Sequence, residues 1–445
     1  MRDPQNLKVA LISEHASPLA AVGGVDAGGQ NVYVAKVALM LARMGHQVDV
    51  LTRRDHPDLP GSVDLTRGVR VVHLPAGPAQ PLPKEALLPH MPEFISAAER
   101  LTRHNGGYDV THANFFMSGM AGMRLKEAFD IPLVTTFHAL GLVRREHQGL
   151  ADAFPAERIE IERQVMQSSD CVIAECPQDH EDMVRLYHTD ARRLSMVPCG
   201  VDTTDFRPMD RQRARAALGL RADEFIILQL GRMVPRKGVD NVIRALALLD
   251  ARVPARLLVV GGNHPSPDEH LTPEIGRLRR LARCLGVHTQ VTFTGQRSRD
   301  TLPLYYAAAD VFVTTPWYEP FGITPLEAMA CGRPVIGSAV GGIQYTVVEG
   351  VTGYLVPPRH PQALAERLTQ LHANPSLADA MGRAGRCHVR RSFTWEQVVQ
   401  ELDRIYRSVQ YIPHFNSWGL GHMLPDTAPP HTARVIPMEG LHGHA

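Results

Sequence analysis

The chain has 445 residues, of which 44% are hydrophobic and 21% charged, and its formal net charge is +1. This length predicts about two to three domains of ordinary globular composition, and the balanced charge gives no support for a nucleic-acid partner. No run of about 18 apolar residues is present, so no transmembrane helix is expected, and the short apolar run near the N-terminus is typical of a strand rather than a secretory signal. The six cysteines form no C-x-x-C pair, which favours buried thiols in a reducing cytoplasm.

The first half of the chain alternates apolar strands with helical patterns. Lys8–Ile12 predicts the first strand, a glycine-rich loop follows, and apolar residues from Val34 to Leu41 have the spacing of one helix face. Further strands are predicted at Gln47–Thr52, Arg70–Leu74, Asp109–His112, Leu133–Phe137 and Cys171–Ala174. This order predicts a Rossmann-like unit, although the loop lacks the G-x-G-x-x-G motif of dinucleotide sites.

Three segments of this half carry candidate binding residues. Gly28 and Gly29 come directly before the first helix, where a backbone can approach a phosphate closely, and a plain turn is the alternative. His112 and His138 each stand at a predicted strand end, a place more often taken by a packed, hydrogen-bonded histidine. Lys84 lies in a proline-rich segment expected on the surface near a cleft, where a solvated lysine is an equal alternative.

The second half repeats the alternation. Strands are predicted at Phe225–Leu230, Arg256–Gly261 and Gln290–Gly295. After the first of these, the sequence GRMVPRKG brings together Arg232, Arg236 and Lys237. An arginine fork beside a lysine point charge can balance a nucleotide diphosphate, and a solvated basic turn is the alternative. A last helix is predicted from Phe393 to Tyr406, and disorder is expected in the proline- and histidine-rich residues 412–445.

The stretch from Trp317 to Ile343 carries the strongest binding signal. It follows an apolar run that predicts a buried strand, and open α/β sheets bind ligands at the carboxyl ends of their strands. Glu319, on a predicted loop, and Glu327, one turn into a predicted helix, should border one crevice. The helix start contributes backbone amides suited to phosphate or hydroxyl oxygens, those of Phe321, Gly322, Ile323 and Thr324. Together these groups indicate a nucleotide sugar, and glutamates that merely cap a helix are the alternative.

These motifs resemble retaining glycosyltransferase family four, whose members have the GT-B fold. The glutamate-pair segment matches through Glu319, Pro320, Phe321, Gly322, Pro325 and Glu327, and the resemblance extends over about residues 8–410. It includes GGQNVY at 28–33, TFHALG at 136–141 and the G-R-x-x-x-x-K-G spacing at 231–238. GGQNVY is similar to the branch that contains sucrose-phosphate synthases and inositol-phosphate glycosyltransferases. Cys199 stands where the family usually has asparagine.

The resemblance implies an α/β protein in which two Rossmann-like domains face each other across a cleft. Residues 1–205 would form the acceptor domain and residues 206–392 the nucleotide-sugar donor domain. Residues 393–411 would form a helix that crosses back to the first domain, and 412–445 would be the tail.

The resemblance also implies roles for single residues. The residues expected to act in catalysis are His138, Arg232, Lys237 and Glu319. Arg232 and Lys237 would balance the leaving diphosphate, Glu319 would hold sugar hydroxyls, and His138 would orient the sugar. Donor binding would also use Gly29, the four amides of the helix start, and Glu327 on the ribose. Acceptor binding is expected from Gln30, Asn31 and Lys84. Arg158 is added to the acceptor site for its charge alone, which would suit a phosphorylated acceptor, and a solvated surface position is the equal alternative.

The implied reaction moves a hexosyl group, with retention, from a donor such as UDP-glucose or GDP-mannose to an acceptor hydroxyl. The acceptor would be a small sugar or polyol, phosphorylated or not, or a glycan or lipid precursor. A front-face route is favoured because no carboxylate pair suited to double displacement is identifiable. Neither a metal nor a cofactor is expected. Phe115 and Ala139 stand where the inositol-phosphate branch has hydroxyl groups, which argues against that acceptor.

Other interpretations stay open. A nucleotide-sugar epimerase of the same architecture would convert the donor without an acceptor, and a non-catalytic nucleotide-sugar sensor would bind the donor without turnover. A pyridoxal-phosphate-dependent phosphorylase is weaker, because no convincing cofactor lysine is present. A cytoplasmic location is expected, and a homodimer and a peripheral membrane contact are both compatible with the sequence.

Overall fold

The computed structural model describes residues 6–20 and 28–410. The tail at 412–445, for which disorder is predicted, lies outside the described residues. Within them the strands belong to two sheets. Their bounds are β1 Lys8–Ile12, β2 Gln47–Arg53, β3 Ser62–Thr66, β4 Val69–Leu74, β5 Val110–Asn114, β6 Leu133–Thr136, β7 Cys171–Ala174, β8 Leu194–Met196, β9 Phe225–Leu230, β10 Ala255–Val260, β11 Val291–Gly295, β12 Val311–Thr314, β13 Val335–Ser338 and β14 Gly353–Val356.

Each half of the chain forms one sheet. The first has the strand order β3-β4-β2-β1-β5-β6-β7-β8, and all its pairs are parallel except the edge pair β3–β4. The second has the order β11-β10-β9-β12-β13-β14 and is parallel throughout. Parallel strands need crossover connections, so a helix follows most strands and both sheet faces are covered.

The α-helices lie between and outside these strands. Their bounds are α1 Gly29–Arg43, α2 Met91–His104, α3 Phe116–Phe129, α4 Gly141–Gln148, α5 Arg158–Ser168, α6 Pro177–Tyr187, α7 Arg211–Ala217, α8 Val239–Leu246, α9 Pro273–Cys284, α10 Leu302–Ala308, α11 Ile323–Ala330, α12 Gly341–Thr346, α13 Pro361–Ala373, α14 Pro375–Ser392 and α15 Trp395–Gln410. Lys84–Ala86 forms a single 3₁₀ turn.

Burial explains why the central strands form where they do. All five residues of β1 and all four of β12 are buried, because helices cover both faces of each sheet. By contrast, β3 alternates exposed and half-buried residues, as an edge strand does when only one of its sides is covered. The carboxyl ends of β1, β5, β6 and β7 in one sheet, and of β9 and β12 in the other, lead into the loops that carry the candidate site residues.

The last helix connects the two halves. In α15 the ring of Trp395 lies 5.8 Å from the ring of Tyr33 in α1, and Tyr406 Oη is 2.6 Å from His112 Nδ1 in β5. Just before the helix, the Val201 amide donates to the carbonyl of Phe393. The helix that ends the second half thus packs on the first sheet. The domain limits at 205/206 and 392/393 stay predictions.

Candidate active site

A cavity of about 280 Å³ lies between the two halves and gathers nearly all the candidate residues. From the second half its wall includes Arg232, Lys237, Glu319, Phe321, Gly322, Ile323, Thr324 and Glu327. From the first half it includes Gly29, Gln30, Asn31, Lys84 and His138. Two candidate residues, Arg158 and His112, do not line it. Residues distant in sequence therefore meet in one cleft, at the carboxyl ends of both sheets.

Lys237 and Glu319 form an ion pair in the wall of the cavity. Lys237 ends a 3₁₀ turn after β9, and Gly238 follows at φ +67°, where a β-carbon would collide with the carbonyl oxygen of Thr315. The backbone there therefore requires glycine, which sets the direction in which the Lys237 side chain leaves the turn. The ion pair holds one cation and one anion at the place where a charged donor would enter.

Burial acts on the pKa of both members of this pair. Removal from water lowers the pKa of the Lys237 ammonium to about 8, although the Glu319 carboxylate opposes the shift. Burial alone would raise the pKa of Glu319, but Lys237, Arg236 and Arg232 outweigh it and the net shift is downward. Glu319 is therefore a carboxylate at neutral pH, and Lys237 begins to lose its proton at moderately alkaline pH.

The start of α11 presents backbone amides and a second carboxylate. Gly322, at φ +90°, immediately precedes the helix. As at every helix start, the first N–H groups of α11 have no intrahelical acceptor. Glu327, in the second turn, is 2% exposed. It accepts a hydrogen bond from the Tyr306 hydroxyl at 2.9 Å and lies 2.9 Å from an Arg299 nitrogen. A ligand hydroxyl at Glu327 would share its carboxylate with both partners.

The start of α1 faces the start of α11 across the cleft. A β-carbon on Gly29 would stand 3.6 Å from Ile323 Cδ1, and one on Gly28 would stand 3.9 Å from Arg232 Nε. Asn31 Oδ1 accepts the Gly28 amide at 2.9 Å, and Gln30 Nε2 donates to Ser13 Oγ at 3.2 Å. Two helix N-termini therefore point into one cavity, an arrangement that favours a bound anion.

His138 follows β6 in a left-handed conformation, with φ +58°. Its Nδ1 lies 3.0 Å from Glu175 Oε1 and its Nε2 lies 3.0 Å from Asn114 Oδ1. Glu175 is 2% exposed, and it also accepts the thiol proton of Cys199. The histidine is thus held on both ring nitrogens by residues at the ends of β5 and β7, the two strands that flank β6.

His112 lies behind this wall and does not line the cavity. It is fully buried between the Tyr406 hydroxyl and the Thr136 hydroxyl, 2.6 and 2.8 Å away. Burial and the neighbouring His138 lower its pKa to about 3, so His112 is neutral. It is a packed histidine that supports the wall.

The remaining wall of the first half mixes cations with aromatic rings. Lys84 and Arg144 line it together with Phe115, Ala139 and Phe154. Arg144 pairs with Asp152 at 2.8 Å and lies over the Phe154 ring at 4.9 Å. Burial opposes the charge of Arg144, but the hydrogen bond that Arg144 donates to Asp152 more than compensates, and the pKa of Arg144 is raised.

The assignment of Arg158 to acceptor binding is corrected by the structure. Its side chain is 1% exposed and pairs with Glu162 at 2.7 Å, one helical turn away in α5. Its guanidinium stacks over the ring of Phe154 at 4.4 Å and donates to the carbonyl of Ala139 at 2.6 Å. A cation enclosed in this way stands behind the cavity wall, so Arg158 supports residues that line the cavity without facing it.

Several residues that line the cavity were not assigned a role from the sequence. Three of them are Glu175, Arg299 and Tyr318. Glu175 directly follows the buried strand β7, and its position at a strand end was the signal that could have identified it. Tyr318 stands directly before Glu319 in the stretch that carries the strongest binding signal, and this position was its signal. Its ring stacks on His147 of α4 at 5.0 Å with an interplanar angle of 14°, and Gln148 donates to its hydroxyl.

Two features are absent from residues 6–20 and 28–410. No group of three or more His, Cys, Asp or Glu side chains in that part of the chain is placed to hold a metal ion. No helix there has both the length and the apolar character that a membrane span requires.

Comparisons with known proteins identify the family of the chain. Residues 27–205 match the family model described as Glycosyltransferase Family 4, and residues 210–388 match the one described as Glycosyl transferases group 1. A D-inositol 3-phosphate glycosyltransferase from Acidothermus cellulolyticus is 38% identical over 408 residues, which cover 90% of each chain. The chain belongs to glycosyltransferase family 4. A similar relative from Actinosynnema mirum, also described as a D-inositol 3-phosphate glycosyltransferase, is 38% identical and covers 90% of this chain and 96% of its own.

The fold of this family 4 enzyme agrees with that of a solved relative. A sucrose-phosphate synthase from Thermosynechococcus elongatus has a TM-score of 0.84 and 36% identity, and the match covers 91% of this chain and 99% of that one. The α/β GT-B fold with two Rossmann-like domains, predicted from the sequence, is confirmed. The enzyme is a glycosyltransferase that uses a nucleotide sugar.

Proposed function

We propose that this enzyme transfers a hexosyl group, with retention, from a nucleoside-diphosphate sugar to a hydroxyl of a small sugar or polyol. The observation that carries the proposal is the cavity where Arg232, Lys237 and Glu319 meet the N-termini of α1 and α11. Two cations and two helix starts suit a diphosphate, and the carboxylate beside them suits sugar hydroxyls.

In this mechanism the leaving diphosphate is the group that needs stabilisation. Arg232 and Lys237 balance the charge that grows on it as the glycosidic bond breaks, and the α11 amides donate to its oxygens. Glu319 holds hydroxyls of the sugar, and Glu327 holds the ribose. The departing phosphate takes the proton of the acceptor hydroxyl, so the new bond forms on the face that the phosphate leaves.

The acceptor side favours a hydroxyl compound with an anionic group. Lys84 and Arg144 supply positive charge to the wall of the first half, whereas Phe115 and Ala139 supply no hydroxyl to a phosphate. The relatives described as D-inositol 3-phosphate glycosyltransferases support a phosphorylated polyol, and the sucrose-phosphate synthase supports a sugar phosphate. Because Phe115 presents a ring where the inositol-phosphate branch has a hydroxyl, we favour a sugar phosphate.

A donor panel tests the proposal directly. The purified chain is incubated with UDP-glucose, GDP-mannose or ADP-glucose, each with pooled sugar phosphates and polyol phosphates, and nucleoside diphosphate release is measured. We expect release that depends on both donor and acceptor, with a product whose anomeric proton coupling shows retention. Conversion of the donor alone would identify an epimerase, and tight donor binding without turnover in any pair would identify a sensor.

Two substitutions test the donor site within the same assay. Changing Arg232 to Ala should lower kcat by about 10² or more, as the loss of one donor to transition-state charge does. Changing Glu327 to Ala should chiefly weaken donor binding, measured by calorimetry. Near-normal turnover in the first variant, or unchanged donor affinity in the second, would contradict the corresponding role.

A further inference from the structure

We infer that Glu175 is a positioning residue for the transfer reaction: it holds the His138 ring with both nitrogens protonated, so that a fixed cation lines the cavity. The inference rests on the proposed function. Glu175 is a buried carboxylate that contacts the ring of His138, and the proposed function gives it no contact with the substrate.

The hydrogen-bond directions around His138 support the double protonation. Asn114 Nδ2 faces two backbone carbonyls, those of Ile12 at 3.3 Å and His112 at 3.4 Å, so the amide nitrogen points there and Oδ1 points at His138. The opposite orientation would place an oxygen against two oxygens. Asn114 Oδ1 is therefore an acceptor for Nε2, and Glu175 Oε1 is an acceptor for Nδ1. Two acceptors require two ring protons.

Among the ionisable groups around His138, Glu175 is the adjacent one that carries a negative charge. Burial, with Glu175 adding to it, raises the pKa of the Cys199 thiol well above its usual range and that of Asp179 to about 8. Burial likewise raises the pKa of Tyr33, whose ring meets His138 edge-on at 4.8 Å. His112 is neutral for the reason given above. These four groups carry little charge at pH 7, and Glu319 on the opposite wall is engaged by Lys237.

The charge of Glu175 itself is maintained by its partners. Burial favours its protonated form, but His138 and the Cys199 thiol outweigh burial and lower its pKa. Cys199 Sγ donates to Oε1 at 3.0 Å, the same oxygen that accepts from His138. A thiol thus takes the place of the asparagine usual in the family and orients the carboxylate.

This arrangement defines what His138 can do. Both ring nitrogens are directed into the wall, so neither presents a lone pair to the acceptor, and the ring is not a general base. Its contribution is a positive charge and a rigid surface at the cavity, additional to Arg232 and Lys237. Such a preorganised charge stabilises a diphosphate that becomes more negative in the transition state.

Nitrogen-15 NMR of labelled histidine tests the protonation state without any turnover. His138 is assigned by comparing the spectrum of the full chain with that of His138→Asn. At pH 7 we expect His138 to show two protonated ring nitrogens in the wild type and one in Glu175→Gln. A neutral His138 in the wild type, or the same spectrum in both proteins, would overturn the inference. This readout stands even if the donor panel gives no turnover and the proposed function fails.

A comparison of kcat and KM tests the role in the reaction. Glu175→Gln removes the counter-charge of the cation, so kcat should fall about tenfold or more while the KM for the donor changes little. Glu162→Gln is the matched control, because it also converts a buried, cation-paired carboxylate to an amide. It should reduce stability without lowering kcat, and an equal fall of kcat in both variants would show that Glu175 has only a structural role.

Discussion

At the scale of single residues, Lys237 shows how burial can link catalysis to pH. Its pKa of about 8 lies well below that of an exposed lysine, and burial is the larger cause. The ammonium is therefore present below about pH 8 and is lost as pH rises through that value. Because the ammonium is proposed to hold the donor diphosphate, the free enzyme should bind its donor less well in alkaline solution.

We therefore expect kcat/KM for the donor to fall about tenfold per pH unit above pH 8, since this ratio reports groups of the free enzyme. Arginine stays charged throughout this range. The Lys237→Arg variant should consequently show no such fall of kcat/KM above pH 8, although its absolute kcat/KM will be lower. Lys126→Arg is the matched control, because Lys126 pairs with Asp170 away from the cavity. In this variant kcat/KM should still fall above pH 8. If kcat/KM still fell above pH 8 in Lys237→Arg, a group other than Lys237 would be responsible for the fall.

Arg158 illustrates the opposite case, a charge that supports the fold instead of a ligand. Its removal in Arg158→Ala leaves Glu162 buried with only the Gly141 amide and the Tyr187 hydroxyl as partners. We expect the free energy of unfolding, measured with urea, to fall by about 3–5 kcal/mol. The KM for the acceptor should change little in the enzyme that remains folded.

Lys84→Ala provides the comparison for that prediction. Lys84 lines the cavity, and its loss should raise the acceptor KM while the unfolding free energy falls by less than it does in Arg158→Ala. If instead Arg158→Ala raised the acceptor KM and left stability intact, the original acceptor assignment of Arg158 would be restored.

At the scale of elements, α15 is the helix that connects the second half to the first. Leu402, at its centre, is fully buried, and the neighbouring Arg404 side chain is 70% exposed. Leu402→Ala should lower the free energy of unfolding by about 2–5 kcal/mol, because it leaves a cavity in a packed core. Arg404→Ala on the same helix should stay within about 0.5 kcal/mol. Equal effects of the two substitutions would mean that the helix does not contribute to the core.

The sequence predicts the elements best where burial is complete. The bounds of β1, β7 and β9 agree with the apolar runs, because strands covered on both faces are apolar at nearly every position. The edge strand β3 was missed, since its alternating SVDLT pattern depends on a neighbour that the sequence does not reveal. Site residues on motifs were brought together as expected, but Arg158 was misassigned because helical spacing does not show which face of α5 looks toward the cleft.

The contact between α4 and the loop before α11 joins the two halves at the mouth of the cavity. Tyr318 lies between His147, stacked at 5.0 Å, and Arg236, whose guanidinium is 5.1 Å from the ring centre. Tyr318→Ala removes the ring from both partners, so we expect a larger radius of gyration by X-ray scattering and higher KM values for donor and acceptor. Tyr318→Phe keeps the stacking and should stay compact. Identical scattering of Tyr318→Ala and the wild type would show that the contact does not hold the halves together.

At the scale of the whole molecule, the two halves are connected by several independent contacts. In addition to α15 and Tyr318, the Cys176 thiol in the first half donates to the carbonyl of Pro320 in the second half at 3.3 Å. The donor site also draws on both halves, because Gly29 faces Ile323 across the cleft. Loss of one half would therefore expose core surface and a charged site in the other.

We accordingly expect calorimetry to show one unfolding transition for the full chain. A nucleoside diphosphate bound only by the native state should raise the temperature of this transition by a few degrees. At a nucleotide concentration of 100 times Kd, binding adds about 2.7 kcal/mol to the free energy of unfolding. UDP, GDP and ADP can be compared at equal concentration, and the largest shift identifies the preferred base of the donor. Two transitions, of which only one moves with nucleotide, would instead show that the halves unfold independently and that the contacts of α15 are too weak to couple them.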